Sequence, residues 1–448
     1  MTSVGEEKVF LISLGCVKNL VDSEHILGTL SSNGFALASM LDEADIAIVN
    51  TCGFLQTAVE EAIDTILEVA DLKKHGKLRK LVVVGCLVQR FGYRLKREIP
   101  EVDGWLGPGE IYRIADLVCT DSPRNAPPFF IGRPSYLADH TAPRIRSTPF
   151  YTAYLRIAEG CSHGCTYCLI PRLRGPLRSR NIDSLVAETE EMVANGVKEF
   201  NVVAQDTTMY GKDLEEDVYL EALLERLVAI RGVEWIRLLY CHPEGISDRL
   251  LELIQTEEII CPYLDIPFQH VHRGILRAMG REPRGESPLE LVERIRSGRR
   301  RISLRTTLMV GFPGESDEIF LDLLDFVKVA RFDHLGVFVF SREKGTAAAR
   351  FKPVVEPAVG RQRLDEIMAL QAEISKDLNQ RMVGHVVPTL IEGQHPESDF
   401  LLTGRSATMA PDVDTQILIN KGTAAAGEIT PVLINEAHAY DLIGEIKE

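Results

Sequence analysis

Cys161-Ser-His-Gly-Cys165-Thr-Tyr-Cys168 gathers three thiols within eight residues, with three residues between the first pair and two between the second. Thiolates at this density are soft donors, suited to iron–sulfur clusters, zinc or copper. A closed site ordinarily takes four protein ligands, and no fourth cysteine or Cys-x-x-His partner stands nearby in the chain. The count of three is therefore informative: it would leave one iron of a four-iron cluster open to a small molecule. The alternative is a small structural zinc knuckle, or thiols close by chance.

Cys16, Cys52 and Cys86 follow a different pattern. Each ends a short, apolar, β-branched run, at 9–16, 47–52 and 81–86, and they recur at intervals of 36 and 34 residues. Such runs read as buried parallel strands. Helical stretches follow at 23–32, 56–72 and about 88–98, so the order is that of βαβ units on one parallel sheet. Ligands of open α/β sheets bind beyond the carboxyl ends of the strands, where these three thiols should converge. Any one of them alone reads as a buried core cysteine. The same strand-end position used three times favours a second three-thiolate cluster site. Cys119, Cys241 and Cys261 have no partners at ligand spacing and read as structural.

The elements that must position the Cys161 loop come next. Six strand-like runs, 151–158, 199–205, 235–240, 263–269, 303–311 and 334–341, are separated by amphipathic stretches such as 183–195, 219–230, 289–300 and 318–330. This order predicts a parallel barrel or partial barrel with its site at the strands' C-terminal ends, and the loop begins directly after the first run. Other strand ends become candidates for ligand contacts: Gln205-Asp206, Gln269-His270, and Gly311 in Gly311-Phe-Pro-Gly314-Glu315, where glycine permits close backbone approach. They read equally as turn and cap residues. The arginines at 294, 296, 299, 300, 301 and 305 straddle a helix end, a favoured place for cations, and read as a solvated terminus rather than an RNA patch.

With 448 residues, 45% of them apolar and 26% charged, the chain has room for two or three globular domains. A net charge of −15 argues against strong nonspecific binding to nucleic-acid backbones and fits a basic partner better. No basic flank leads into an apolar signal core, and no apolar run reaches membrane-spanning length, so a cytoplasmic protein with reduced thiols and no membrane partner is expected. Residues 121–149, rich in Pro, Arg and Ser, read as a linker. A helical stripe over 361–381 leads to short runs at 386–391, 400–403, 415–419, 428–434 and 440–446, which predict a small antiparallel barrel. From 378 to 448 the chain carries four Lys or Arg against ten Asp or Glu, the wrong sign for gripping tRNA and the right one for steering a basic protein.

The Cys161 loop, with Tyr167 before its last cysteine, resembles the radical S-adenosylmethionine enzymes. Ile12-Ser-Leu-Gly-Cys16-Val-Lys-Asn19-Leu-Val-Asp22-Ser23-Glu24, Asn50-Thr51-Cys52-Gly53-Phe54, Gly85-Cys86, and the flanks 155–160 and 170–180 resemble the methylthiotransferases of that superfamily. The likeness spans nearly the whole chain. It implies an N-terminal parallel α/β domain over 1–145, a central (β/α)6 partial TIM barrel over 146–381, and a TRAM-like antiparallel β-barrel over 382–448. It further implies two 4Fe-4S clusters. Cys161, Cys165 and Cys168 would hold the one that cleaves S-adenosyl-L-methionine to a 5′-deoxyadenosyl radical, and Cys16, Cys52 and Cys86 an auxiliary cluster handling the transferred sulfur. Tyr167, Gln205, Gln269 and Gly311 become candidate cofactor contacts, and Arg180 is the candidate for the methionyl carboxylate.

One branch of the family modifies a tRNA adenosine, and the other methylthiolates the β-carbon of an aspartate of ribosomal protein S-twelve. The first cysteine segment and Tyr263-Leu-Asp-Ile-Pro267-Phe-Gln269-His270 are closer to the second branch, while Val17, Phe268 and the short approach to Ser303 depart slightly from its pattern. The acidic last domain agrees with a protein substrate. An electron donor such as a flavodoxin or ferredoxin, and a sulfur donor, are implied. The tRNA enzyme and a non-catalytic iron–sulfur RNA-binding scaffold are the alternatives.

Overall fold

A computed structural model describes residues 7–76, 78–120, 127–215 and 218–447. Of the expected 121–149 linker, 121–126 lie outside the described residues. The first sheet is built from β1 (Lys8–Ser13), β2 (Ala36–Leu37), β3 (Ile46–Thr51), β4 (Lys80–Gly85), β5 (Gly104–Leu106) and β6 (Phe129–Phe130), with helices α1 (Val17–Ser32), α2 (Gln56–His75), α3 (Cys86–Glu98) and α4 (Ile114–Cys119). Its strands are parallel, in the order β2-β1-β3-β4-β5-β6. β3 and β4 are buried throughout because both faces are covered. Ala47, Val49, Leu81 and Val83 meet α2 and α3, and Ile46, Ile48, Val82 and Val84 meet α1 and α4. Two helices begin earlier than their apolar patterns predict: α1 starts directly after Cys16 and α3 at Cys86 itself.

The central domain carries β7 (Thr152–Arg156), a two-residue pair β8 (Ala158–Glu159) and β9 (Arg178–Ser179), then β10 (Glu199–Val203), β11 (Trp235–Leu238), β12 (Ile260–Asp265), β13 (Ser303–Val310) and β14 (His334–Val339). Interleaved helices are α5 (Ile170–Leu173), α6 (Ile182–Ala194), α7 (Leu220–Val228), α8 (Asp248–Thr256), α9 (Arg273–Met279), α10 (Pro288–Arg296) and α11 (Asp317–Ala330), with α12 (Pro357–Gln380) closing the set. The order β14-β13-β12-β11-β10-β7 leaves β7 and β14 as unjoined edges, which makes an open six-stranded barrel. Leu155, Phe200, Val202, Leu238, Leu264 and Leu304 pack outward on the helices. The alternate positions face the lumen and carry Arg156, Glu199, Arg237, Asp265 and Arg305.

The last five strands, β15 (Val386–His395), β16 (Ser398–Ser406), β17 (Gln416–Lys421), β18 (Ile429–Ala437) and β19 (Asp441–Ile446), form a closed barrel in the order β15-β16-β17-β19-β18. The connection after β16 enters the central barrel. There Arg237 donates from Nη1 to the carbonyl of Ala407 at 2.5 Å, Tyr263 donates its hydroxyl to Asp414 at 2.6 Å, and Arg405 pairs with Glu199. The first domain covers the opposite end and is anchored on both edges of the open sheet. Asp22 of α1 pairs with Arg156 of β7, and Glu343, just past β14, takes Arg90 Nη2 at 2.7 Å and the Gln56 N–H at 2.9 Å. Among the described residues no helix is long and apolar enough to cross a membrane.

Candidate functional site

The three strand-end cysteines of the first sheet come together. Gly15 has φ 92°, and a Cβ there would stand 2.7 Å from Cys52 Cβ; one on Gly53 would stand 2.7 Å from the carbonyl carbon of Cys86. Only glycine allows these loops to approach so closely. Asn19 ties two of them together, donating from Nδ2 to the carbonyls of Leu14 at 2.9 Å and Thr51 at 3.0 Å. Cys16 is exposed at the N-terminus of α1. Burial pushes its thiol up, but Lys18, Arg174 and the first N–H groups of α1 outweigh it and leave the thiol lowered. Burial raises Cys52 and pushes Cys86 up to about 12 against the pull of Arg174. Ligation of a metal cation would displace the proton from a thiol so placed.

The Cys161 loop grows from the β8–β9 stem. It is stapled to the barrel by Cys161 N–H to Gly175 O at 3.0 Å, Thr166 N–H to Met279 O at 2.9 Å, and Ala348 N–H to Thr166 O at 2.9 Å. Backbone N–H groups reach two of its sulfurs, from His163 to Cys161 at 3.5 Å and from Ile170 to Cys168 at 3.4 Å. Arg281 Nη1 lies 3.9 Å from Cys165 Sγ while its Nη2 donates to the Pro267 carbonyl at 2.8 Å. Burial pushes Cys161 up to about 11 and Cys168 up to about 12. Beside the loop, His163 Nε2 meets Asp206 Oδ2 at 2.5 Å, and its ring stacks on His242 at 4.4 Å between centroids. Both histidines and Arg281 line a cavity of about 610 Å³.

The other candidates divide. Tyr167 packs against Met279 and Phe312 beside the thiols, and burial raises its phenol. Gln269 has φ 69°, its N–H bonded to the Thr307 carbonyl and its own carbonyl to the Met309 N–H, so it extends the β12–β13 ladder to the rim. Gly311, at φ 73°, turns the chain at the end of β13. Gln205 is half-buried after β10, and it is its neighbour Asp206 that engages the loop. Arg180 stands elsewhere: its guanidinium is committed to Glu188 at 2.5 Å, Ser184, and the carbonyl of Arg156, so the cation beside the loop thiols is Arg281. In the arginine run, Arg294, Arg296, Arg300 and Arg301 are bonded to Glu286, Asp248, Asp333 and backbone carbonyls, and Arg299 is exposed. Cys241 and Cys261 are buried core thiols, and Cys119 is exposed at the end of α4.

One arginine of the 170–180 flank completes the site. Arg174, from the cysteine loop's return, donates from Nη2 to Asn19 Oδ1 at 2.5 Å and Asp22 Oδ2 at 2.7 Å and from Nη1 to Glu159 at 3.2 Å. It thus carries the barrel's charge to the first domain's thiols. Each trio offers only soft sulfur donors with a cation beside it, which fits an anionic iron–sulfur cluster and not a hard divalent ion.

An open β/α barrel with a three-cysteine loop after its first strand, joined to an α/β domain with a second trio and to a small β-barrel, defines a radical S-adenosylmethionine protein of the methylthiotransferase class. Residues 155–327 match the Radical SAM superfamily, 8–107 the family described as Uncharacterized protein family UPF0004, and 383–446 the TRAM domain. The chain is 46% identical over 448 residues to ribosomal protein uS12 methylthiotransferase RimO of Pelobacter propionicus, covering 100% of both chains. It is 47% identical over 444 residues to the protein of that name from Geobacter sulfurreducens, covering 99% of both. The chain belongs to the RimO family and is a transferase. In fold it resembles the radical S-adenosylmethionine methyltransferase TsrM of Kitasatospora setae, with a TM-score of 0.54 at 15% identity over 74% of this chain and 73% of that one.

Proposed function

We propose that the protein methylthiolates an aspartate β-carbon of ribosomal protein uS12, the substrate named for its relatives. Cys161, Cys165 and Cys168 hold one 4Fe-4S cluster, and Cys16, Cys52 and Cys86 hold the second. Bound there, the clusters and S-adenosyl-L-methionine supply the one-electron chemistry for an unactivated C–H bond and the sulfur and methyl to be transferred. The chain's part is to hold and insulate. Cys161 to Cys168 are fixed by backbone bonds to α9 and the Ala348 turn, so the loop keeps its shape without a fourth ligand. Arg281 and Arg174 offset the thiolate charge at one trio each. Tyr167, Gln269 and Gly311 stand at the rim as cofactor contacts.

The observation that carries this reading is the convergence of two separate thiol trios at the C-terminal ends of two sheets, one domain capping the other. Iron and sulfide analysis of anaerobically prepared protein tests it, with each trio replaced by alanine in turn: each variant should lose one cluster and keep the other. Mass spectrometry of cells lacking the protein names the substrate. A methylthio group missing from uS12 supports the proposal, and one missing from tRNA overturns it in favour of the tRNA-directed branch. A flavodoxin or ferredoxin as electron donor and a separate sulfur donor complete the reaction.

A further inference from the structure

Thr166, inside the Cys161 loop, joins the loop to two neighbouring segments. Its N–H donates to Met279 O at 2.9 Å and its hydroxyl to Ala278 O at 2.8 Å, both at the end of α9. Its carbonyl accepts from the Ala348 N–H at 2.9 Å, in the segment that follows β14. That segment, 341–352, exposes Arg342, Lys344, Arg350 and Lys352. Its one acid, Glu343, is buried and held by Arg90 of the first domain, the segment's one ion pair among the described residues. Arg172 of α5 is exposed beside it, for a Cβ on Gly345 would stand 3.2 Å from Arg172 Nη1. On α9, Arg273 and Arg277 share a single acid, Glu282. The tip of the loop is uncovered: Gly164 is exposed, and a Cβ there would meet nothing within 4 Å. A chain of net charge −15 thus gathers unpaired surface cations around the bare tip of one cysteine loop. These are distinct from the buried Arg281 and Arg174, which answer the thiolates.

We propose that this basic face is where an acidic electron-transfer protein docks to reduce the loop cluster. The inference rests on the reading that the Cys161 loop holds a one-electron cluster, and adds the surface through which the electron arrives. One electron passes from the donor's reduced cofactor to the cluster; the donor is oxidised by one electron, and no bond is made or broken. Opposed potentials steer and orient such a partner, and a brief encounter can rest on charge alone. The bare tip lets the donor's cofactor come close to the thiols. A strand of RNA would call for stacking faces as well, and no aromatic side chain is exposed on 341–352, α5 or α9. A basic protein substrate would be repelled here.

The test titrates anaerobically filled protein with an acidic flavodoxin, then follows cluster reduction by the same flavodoxin in its fully reduced form. The triple variant Lys344→Glu, Arg350→Glu, Lys352→Glu, with iron and sulfide equal to wild type, should bind about 30-fold more weakly at low salt. It should be reduced more slowly by flavodoxin, while dithionite, which needs no docking, reduces both proteins alike. Arg172→Glu, on a separate element, should weaken binding about threefold and decides the matter if the triple variant cannot be filled. A control reversing the exposed Lys328, Arg381 and Lys421, on α11, at the end of α12 and on β17, should bind as wild type does. Equal losses in control and triple variant would reduce the effect to net charge and overturn the docking face. A triple variant that keeps its affinity for flavodoxin overturns it too, and one that loses affinity for ribosomal RNA instead assigns the face to RNA. Wild type without iron at the Cys161 loop overturns the cluster reading beneath, whereas filled wild type that binds no flavodoxin overturns this inference alone.

Discussion

Asp22 of the first domain holds Arg174 of the barrel at 2.7 Å, and the same carboxylate also pairs with Arg156 of β7. Two buried acids, Asp22 from the first domain and Glu159 from the barrel, thus balance two buried guanidinium groups across the interface. Removing one partner of such a pair leaves charge stranded in low dielectric. Asp22→Asn should therefore destabilise the protein by about 3–5 kcal/mol, read as a lower denaturation midpoint in urea. Asp22→Ala should cost at least as much, since it also empties the space.

Gly15→Ala tests the closeness of the first trio. The added Cβ would meet Cys52 Cβ at 2.7 Å in a backbone held at φ 92°. Strain of roughly 1–3 kcal/mol is expected from the backbone alone, and the loops must part to relieve it. Anaerobic iron analysis should show the iron of that trio lost, and the iron of the Cys161 loop retained.

The interface between the central and final barrels carries its own pH signature. Burial raises the Glu199 carboxyl, but Arg405 and Arg237 outweigh it and hold it at about 2, below its usual 4.5. A depressed carboxyl contributes stability that is complete above about pH 5 and is lost as pH falls toward 2. The full difference is on the order of 3 kcal/mol. Unfolding free energy measured by denaturant titration should fall across that window in wild type. Glu199→Gln should be less stable at pH 7 and should show a flatter profile.

How much of this could be read from the chain follows from what each residue depends on. The two trios were legible because a repeated strand-end cysteine and a tight three-thiol loop are local patterns. The six barrel strands and the five last strands show in their apolar runs. α9, seven residues long, is too short to set up a clear period. Arg180 is the sequence candidate for the methionyl carboxylate, and the fold commits its guanidinium to Glu188, while Arg174 reaches the first domain's thiols. The difference lies in Glu188 on α6, which captures Arg180, and in Asp22 from another domain, which captures Arg174. Arg281 likewise acquires its role only through a contact far apart in sequence.

Arg281 offers the sharpest test of the loop's electrostatics. Its Nη1 is the guanidinium atom 3.9 Å from Cys165 Sγ, and its other arm is held by the Pro267 carbonyl at 2.8 Å, so the cation is fixed in place rather than drifting in solvent. A positive charge beside a cluster favours the reduced, more negative state. Replacing it by Arg281→Gln keeps a donor for Pro267 but removes the charge, and should shift the loop cluster's midpoint on the order of 50 mV more negative for one electron. Redox titration followed by electron paramagnetic resonance reads that shift directly, without turnover. The second cluster, served by Arg174 and Lys18, should keep its own potential in this variant. An Arg174→Gln protein should show the converse. If both potentials moved together in either variant, the two thiol trios would share one electrostatic environment, and the assignment of a separate cation to each would be wrong.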